Sequence, residues 1–360
     1  MAVTNPLSFL SPQLIKVWVL APHLVTHDAN IDYYYDFTQS IAEYEKTFSQ
    51  LGIEWKWQPV TMQDYPSIID KIAKEKDTSN KTPVVFNICD GDEINGTPGI
   101  SVIKLLEEKG LLYTGANEYF YNITTSKIPM KRAFDKAKVP TAGWKTISTA
   151  SQNFDKIFKE LGNPVIVKPA ISGGSMGVGI KNVVQSAAEL KSQVSKMLEG
   201  YRGWNLAADG LVAESFISGP EFTVLISGTY NNPELEKFLS FDRLWEIYED
   251  ETPMPGEASF YEYALPDALL IDEIKQISWD AYVATKGCGY TRIDIRMDTQ
   301  TGKLYVLEVN AQCGLSEDED YTSIGAILRF SGSTYTELIA EIINDAFTRR
   351  SAAAQKRRYA

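Results

Sequence analysis

The stretch TRIDIRMDTQTGKLYVLEVNAQCGLS, residues 291–316, decides how the rest of the chain is read. Apolar residues alternate on both sides of a polar segment, which predicts two β-strands joined by a turn. Asp294 lies within the first strand, and Glu308 and Asn310 lie near the end of the second. Glu308 and Asn310 are two residues apart, as are Arg292 and Asp294, so each pair shares one face of its strand.

These three oxygen-bearing side chains predict a site for a hard cation such as Mg2+. The alternative is a surface hairpin whose charges are simply solvated. We favour the cation site because the carboxylates interrupt strand-forming runs and do not sit in the turn.

Composition describes an ordinary globular protein. The chain has 360 residues, of which 44% are hydrophobic and 23% charged, enough for two or three domains with large cores. Its net charge of −12 disfavours nucleic acid or an anionic membrane as the main partner. An anionic substrate would therefore need a local basic site.

The cysteines and histidines give little indication of a metal site or of disulfide bonds. Cys89, Cys288 and Cys313 are far apart and form no CxxC pair, so neither a zinc site nor a disulfide framework is indicated. His23 and His27 could bind a metal, but solvated loop residues are the favoured interpretation. We see no secretory signal pattern and no apolar run near the roughly 18 residues that span a membrane, so we expect a cytoplasmic protein.

The first part of the chain alternates between the two element types. Strands are predicted at residues 14–21, 53–60, 83–89 and 111–114, and helices at residues 37–51, 68–76 and 99–109. This order predicts an open, mainly parallel α/β sheet. Ligands usually bind at the carboxyl ends of such strands, so residues 22–36 and 90–98 are candidate substrate loops.

A second unit starts near residue 119. We predict helices at residues 123–138 and 153–161, and strands at residues 143–147 and 165–168. The first helix has a basic inner set formed by Lys127, Lys131 and Arg132.

The segment KPAISGGSMGVG, residues 168–179, suits a loop whose backbone N–H groups surround phosphate oxygens. A plain hairpin turn is the alternative. Lys168 ends an apolar strand, where an ammonium needs an anionic partner, and this favours the phosphate loop.

The third unit supplies more strands, at residues 211–217, 222–227 and 238–246, and an amphipathic helix at residues 333–350. Glu214 and Glu221 bracket the turn SGPE. An adenine-type ligand could use the backbone there, with a carboxylate accepting from ribose hydroxyls. Two exposed strand carboxylates are an equally open interpretation. Residues 252–267 contain three prolines and are expected to be irregular and mobile.

Six motifs in order resemble the ATP-grasp superfamily, and within it the D-alanine–D-alanine ligases. They are YTGAN, TTSKIPMK, VIVKPAISGGSMGVG, ESFISGPEFTV, TRID and LEVNAQCG. They resemble the family's YTGS, DKxxxK, KPxxEGSSxGV, ExxxxGxExxV, R-x-D and L-E-x-N-x-x-x-G motifs. The resemblance covers nearly all of residues 87–343.

The resemblance implies a role for each matching residue. Lys127 and Lys168 would hold ATP phosphates, covered by Ser175 and Met176 of the glycine-rich loop. Glu214 and Ile217 would lie at the adenine and Glu221 at the ribose. Two Mg2+ ions would bind Asp294, Glu308 and Asn310. Catalysis would rest on Ser175, on Arg292 and on the Gly314 N–H, the last two stabilising charge on the carbonyl under attack.

The implied fold is an N-terminal open parallel α/β domain followed by a two-domain ATP-grasp fold. We predict an N-terminal substrate domain at residues 1–118, a central ATP-grasp domain at 119–204 and a C-terminal domain with the Mg site at 205–360. The implied chemistry is phosphorylation of a carboxylate by ATP, followed by attack of an amine. The expected partners are small-molecule carboxylates and amines, with a homodimer as the assembly to consider.

The substrate half departs from the family pattern. The first strand of the dipeptide ligases leads into GGxSxE, whereas here it leads into APHLVTHDANIDYYYD. The family's first loop serine aligns with Gly174, and its lid with Lys-Tyr is replaced by FYEYALPDA, residues 260–268. SEDEDYTS stands where the family has SHSLVP. We therefore expect a substrate other than two D-alanines.

Two alternatives remain. One is a true D-alanine–D-alanine ligase with a rearranged substrate site. The other is a non-catalytic ATP-binding regulator, which the joint presence of Arg292, Asp294, Glu308 and Asn310 disfavours because binding alone needs no oxyanion arginine. The acidic residues 317–320 could face a cationic acceptor, although a solvated loop is the favoured interpretation.

Overall fold

The protein is described here by a computed structural model. It covers residues 11–24, 35–149, 152–171, 177–200, 203–205, 207–230, 237–243, 263–319 and 322–359. The strands of these residues form three sheets, one parallel and two antiparallel. The predicted mixed α/β class is confirmed.

The first sheet is parallel, as predicted. Its strands are β1 (Ile15–Pro22), β2 (Glu54–Val60), β3 (Thr82–Asn87) and β4 (Leu112–Tyr113), in the order β2-β1-β3-β4. Its helices are α1 (Thr38–Leu51), α2 (Tyr65–Thr78) and α3 (Ile100–Glu108). The carboxyl end of β3 opens into the loop at residues 90–98, where the parallel arrangement places ligand-binding loops.

The single helix predicted at residues 123–138 is wrong. The chain instead forms α4 (Glu118–Thr125) and α5 (Lys127–Ala137), separated by Ser126 in an extended conformation. The Ser126 hydroxyl accepts a hydrogen bond from the Ile128 N–H, so it caps α5. The break places Lys127 at the first position of a helix, with its side chain directed toward the neighbouring sheets.

The central sheet is antiparallel and has its own core. It contains β5 (Trp144–Ile147), β6 (Val165–Pro169), β7 (Val183–Val184) and β8 (Leu211–Ser215), in the order β5-β8-β6-β7. Helices α6 (Phe154–Leu161) and α7 (Ala187–Leu198) cover one face. We did not predict α7, although Leu190, Val194 and Met197 have the spacing of an apolar helix face and are buried in the core of this sheet.

The third sheet holds the opening hairpin. Its strands are β9 (Glu221–Thr229), β10 (Lys237–Arg243), β11 (Tyr263–Ala264), β12 (Cys288–Met297) and β13 (Leu304–Ala311), in the order β11-β10-β9-β12-β13. The accompanying helices are α8 (Ile271–Ala284), α9 (Ser323–Ser331) and α10 (Tyr335–Tyr359). The segment predicted as irregular contains β11, and its residues 252–262 lie outside the described part of the chain.

The first and third sheets share one hydrophobic core. Helix α1 contributes Tyr44 and α10 contributes Tyr335, and the centroids of these two rings lie 6.2 Å apart. The opposite face of the third sheet packs on α4, α5 and α8. The hairpin is therefore held between two packed layers. Within the described ranges, no helix combines the length and hydropathy needed to cross a bilayer.

Gly289 illustrates how closely the units approach. Its φ is +82°, and a Cβ there would lie 2.3 Å from the carbonyl oxygen of Gly115. Gly52, which ends α1, has a similar φ of +65° but nothing within 4 Å of a Cβ. Both glycines have a left-handed backbone, but only Gly289 also has a close neighbour. Comparing the two therefore isolates the effect of the close contact.

We predict that Gly289→Ala lowers the free energy of unfolding by about 3 kcal/mol or more, whereas Gly52→Ala lowers it by about 1 kcal/mol, the cost of left-handed backbone alone. Urea unfolding monitored by circular dichroism measures both values. Equal losses in the two variants would show that the Gly115–Gly289 approach is not close in solution.

Candidate functional site

The hairpin of β12 and β13 has the predicted form. Asp294 stands opposite Glu308 and Arg292 opposite Asn310, with an irregularity in the pairing directly after Asp294. The predicted oxygen donors therefore lie on neighbouring strands at the same level of the sheet.

Asp294 is held by three neighbours. Arg292 donates to it through Nε and Nη2, with Nη2 2.9 Å from Oδ2. The Thr223 hydroxyl lies 2.8 Å from Oδ1, and the Asn310 side-chain nitrogen lies 2.9 Å from Oδ2. Thr223 was not predicted, because nothing in a strand of apolar residues marks one threonine as the partner of a distant aspartate.

Arg292 stays charged in this setting. Burial alone lowers the pKa of its guanidinium, but the Asp294 carboxylate outweighs burial and raises the pKa above its usual value. The Asn310 amide donates its nitrogen to Asp294. Its oxygen is thereby left to face a ligand.

Glu308 pairs with Lys127, whose Nζ lies 3.3 Å from Oε2. Burial would raise the pKa of this carboxyl, but Lys127, Lys168 and Arg292 outweigh it and lower the pKa to about 2. Glu308 is therefore ionised throughout the physiological range, as a metal-binding carboxylate must be.

Glu214 lies between two lysines. Its Oε1 is 3.3 Å from Nζ of Lys131, and its Oε2 is 3.3 Å from Nζ of Lys168. The sequence grouped Lys131 with Lys127 but assigned it no role. It is the most deeply buried of the lysines, with an exposed fraction of 0%.

Burial and mutual attraction act together in this group. Burial would raise the pKa of Glu214, and the two lysines outweigh it and lower the pKa below the usual range. Burial lowers the pKa of Lys131, with Glu214 opposing and Lys168 reinforcing that shift. Three lysines (127, 131 and 168) face two glutamates (214 and 308), which leaves one positive charge (3 − 2 = +1). In a chain of net charge −12 this is the local basic site that an anionic ligand needs.

Backbone and hydroxyl groups hold the lysines in place. The Lys127 N–H donates to the Ala170 carbonyl at 2.7 Å, which ties the start of α5 to the end of the strand that carries Lys168. Nζ of Lys131 donates to the Thr141 hydroxyl, which donates in turn to the Val306 carbonyl of β13, both at 2.8 Å. The two antiparallel sheets thus meet at the basic group.

Two features of these residues suit a nucleotide and a metal ion. Oε1 of Glu214 is a buried acceptor without a properly directed hydrogen bond in the described part of the chain, as suits a ligand N–H. Asp294, Glu308 and Asn310 offer hard oxygen donors, which Mg2+ prefers and supplements with water. Within the described ranges, no cluster of three His, Cys, Asp or Glu residues is suited to a metal. The candidate set here combines the carboxylates of Asp294 and Glu308 with the amide oxygen of Asn310.

The remaining predicted site residues divide into two groups. Ser175, Met176 and Gly174 lie outside the described residues. Glu221 pairs with Arg296, and Ile217 lies in the turn that follows β8, near that pair. Gly314 is exposed, and its N–H makes no hydrogen bond to a described residue, so it is free to donate to a ligand.

Asp90 is a site residue that the sequence marked only as part of a loop. It follows β3, and its side chain is accessible to solvent, yet the surrounding protein desolvates it and raises its pKa to about 6. Its neighbours Asp92 and Glu93 bond within the loop, to Asn95 and to Ser101, whereas Asp90 bonds to no other described residue.

The structure also bears on the acidic loop, the cysteines and the histidines that the sequence singled out. In the acidic loop, Glu317 pairs with Lys46 and Glu319 with Arg329, so these two carboxylates already have cationic partners. Cys89, Cys288 and Cys313 are all buried free thiols. His27 lies outside the described residues, so the two-histidine metal site remains untested.

Comparison with known proteins assigns the chain to a family. The family described as D-ala D-ala ligase C-terminus matches residues 134–344. The chain belongs to this family. The matched region includes Lys168, Glu214 and the whole hairpin. The predicted resemblance to D-alanine–D-alanine ligases is confirmed, and with it an enzyme of the ATP-grasp ligase type.

Similar proteins support the same assignment. The chain is 28% identical over 246 residues to a D-alanine–D-alanine ligase from Marinomonas sp. (strain MWYL1), covering 68% of this chain and 72% of that protein. It is 30% identical over 239 residues to D-alanine–D-alanine ligase B from Xanthomonas campestris pv. campestris, covering 64% and 69%. The crystal structure of a D-alanine–D-alanine ligase from Bacillus anthracis complexed with ATP has a TM-score of 0.67 at 20% identity, covering 94% of this chain and 99% of that one. The predicted ATP-grasp architecture is confirmed.

We predict that Lys131→Met lowers the free energy of unfolding by about 3–5 kcal/mol, because it leaves a buried carboxylate short of a partner. Chemical denaturation measures the loss. The double variant Lys131→Met with Glu214→Gln removes the carboxylate charge as well, so it should lose less. If the double variant loses as much as the single one, the Lys131–Glu214 pair is not what stabilises this region.

Proposed function

We propose that the protein is an ATP-dependent carboxylate–amine ligase that forms a C–N bond through an acyl phosphate. The observation that carries this proposal is the basic group of Lys127, Lys131 and Lys168 beside the Asp294–Glu308 hairpin. An excess of positive charge faces two ionised carboxylates on one side of the site. A magnesium–nucleotide complex has the complementary charges.

The proposed roles follow the geometry. Lys127 and Lys168 bind ATP phosphates, and in doing so exchange their glutamate partners for phosphate oxygens. Glu214 accepts from the adenine amino group through the oxygen that lacks a directed hydrogen bond. Asp294, Glu308 and Asn310 would hold Mg2+, which when bound would supply positive charge against the transferring phosphoryl group. Ser175 and Met176 cover the phosphates.

The reaction proceeds in two displacements. A carboxylate oxygen of the first substrate attacks the γ-phosphorus, and the bond to the β-phosphate oxygen breaks as ADP leaves with the electron pair. The amine of the second substrate then attacks the acyl carbon, loses a proton, and expels phosphate. Arg292 and the Gly314 N–H stabilise the oxyanion that develops on that carbon.

We further propose amino-acid or related substrates other than two D-alanines. The sequence after β1 and the segment after Gly314 depart from the dipeptide-ligase pattern, which supports a changed substrate site. Asp90 supports a substrate that retains an ammonium, because its exposed carboxyl group follows β3 and pairs with no cation among the described residues. The second candidate is a true D-alanine–D-alanine ligase, which the names of the similar proteins favour. A homodimer remains a prediction.

We expect phosphate release when the protein is incubated with ATP, Mg2+ and pools of amino acids, and we expect more release from pools without D-alanine than from D-alanine alone. A colorimetric phosphate assay measures it. Release with D-alanine alone would restore the dipeptide ligase. No release with any pool would contradict the ligase and favour an ATP-binding regulator.

Glu308→Gln should lower turnover at least about 100-fold, since the neutral amide cannot supply the metal-binding charge. Glu317→Gln is the matched control, because this exposed carboxylate pairs only with Lys46 and should keep wild-type turnover. Circular dichroism verifies that both variants fold. Near-normal turnover in Glu308→Gln would contradict the proposal that Glu308 binds the metal ion.

A further inference from the structure

Gln312 occupies the segment that joins the metal site to the oxyanion donor. It follows Asn310 by two residues and precedes Gly314 by two. Its φ is +54°, in the left-handed region, where a non-glycine residue is uncommon and needs support from its surroundings. Its exposed fraction is only 2%, so the side chain points into the protein and not into the cleft.

The side-chain amide of Gln312 makes three hydrogen bonds to residues 87–116. Its nitrogen donates to the Cys89 carbonyl at 2.9 Å. Its oxygen accepts from the Ala116 N–H at 3.2 Å and from the Asn87 side-chain nitrogen at 3.4 Å. One side chain thus connects the end of β13 to the end of β3 and to the turn before α4.

The partners of Gln312 are themselves fixed. The Asn87 side-chain oxygen accepts from the Cys89 N–H at 3.1 Å, and the Asn87 N–H donates to the Thr114 hydroxyl at 3.1 Å. Gly115 packs against the glutamine so closely that a Cβ there would lie 3.0 Å from its Cγ. Gln312 therefore packs against a part of the chain that its own hydrogen bonds hold in place.

The chemistry of the three partners calls for a neutral amide. Two of them are donors and one is an acceptor, and a planar primary amide matches all three at once. A carboxylate of the same shape would lack the donor for the Cys89 carbonyl. A shorter side chain would not reach across.

We propose that Gln312 is a positioning residue that sets the Asn310–Gly314 segment against the end of β3, and so aligns the substrate carboxylate with the phosphoryl group and the Gly314 N–H. This role rests on the proposed ligase function. Cys89 is followed directly by Asp90, so the bond to its carbonyl fixes the start of the loop at residues 90–98. Misplacement of reacting groups by about 1 Å can cost about 100-fold in rate.

The decisive variant is Gln312→Glu, which is isosteric. At neutral pH the carboxylate keeps the two donors but repels the Cys89 carbonyl. We expect kcat to fall at least tenfold and KM for ATP to change less than kcat does, because the hydrogen bonds of the Gln312 side chain within the described residues include none with Lys127, Lys168 or Glu214. KM for the amino-acid pool that supports turnover should rise.

The pH dependence of this variant separates positioning from bulk stability. A protonated glutamic acid can donate to the Cys89 carbonyl, so the ratio of variant to wild-type kcat should rise as the pH falls. The titratable groups near the site, Asp90, Cys89 and Cys313, are present in both proteins, and the uncharged variant Gln312→Asn shows how they alone affect kcat as the pH changes.

Two controls complete the test. Gln300→Glu adds the same charge at an exposed turn and should keep wild-type kcat at every pH. Gln312→Asn tolerates the left-handed backbone but cannot reach Cys89, so its kcat should fall without recovery in acid. A flat kcat ratio for Gln312→Glu, or a KM for ATP that changes as much as kcat does, would overturn the positioning role while the ligase function stands. A wild-type protein that releases no phosphate with any pool would overturn both.

Discussion

The site depends on charges that are buried together. Glu214 lies between Lys131 and Lys168, and Glu308 lies beside Lys127, in a region closed off by two antiparallel sheets. An isolated buried charge is costly by several kcal/mol, so each of these groups is stable only in the presence of the others. The group carries one more positive than negative charge, which favours the binding of an anion. Binding a phosphate would balance this charge without any rearrangement of the fold.

The hairpin supplies the complementary half. Cross-strand pairing brings Asp294 and Glu308 to the same level, and the bonds from Arg292 and Thr223 fix the orientation of the aspartate. The first sheet then meets the hairpin through a shared core and through Gln312. Phosphate binding, metal binding and substrate binding therefore come from different parts of the chain, and their alignment depends on how these parts pack.

Sequence reasoning located the strands and the residues that carry charge within them. Asp294, Glu308 and Lys168 stand out because charged residues are unusual in apolar strands. Thr223 and Gln312 do not stand out, since threonine in a strand and glutamine after one are ordinary, and only long-range packing gives them partners. The break at Ser126 was missed because the serine hydroxyl caps α5 in the middle of a pattern that is otherwise continuously helical. The motifs covered the ATP half better than the substrate half, because phosphate and metal binding require fixed residue types whereas substrate pockets differ in shape.

The central claim is that the basic group and the hairpin together transfer a phosphoryl group from ATP to a carboxylate. Positional isotope exchange measures this step directly. ATP labelled with 18O in the β,γ-bridge is incubated with Mg2+, the protein and a carboxylate substrate without an amine acceptor. Reversible transfer frees the β-phosphate to rotate, so we expect the label to scramble into the non-bridging β positions only when the carboxylate is present. Absence of scrambling with a carboxylate that supports phosphate release, or equal scrambling without any carboxylate, would contradict the account.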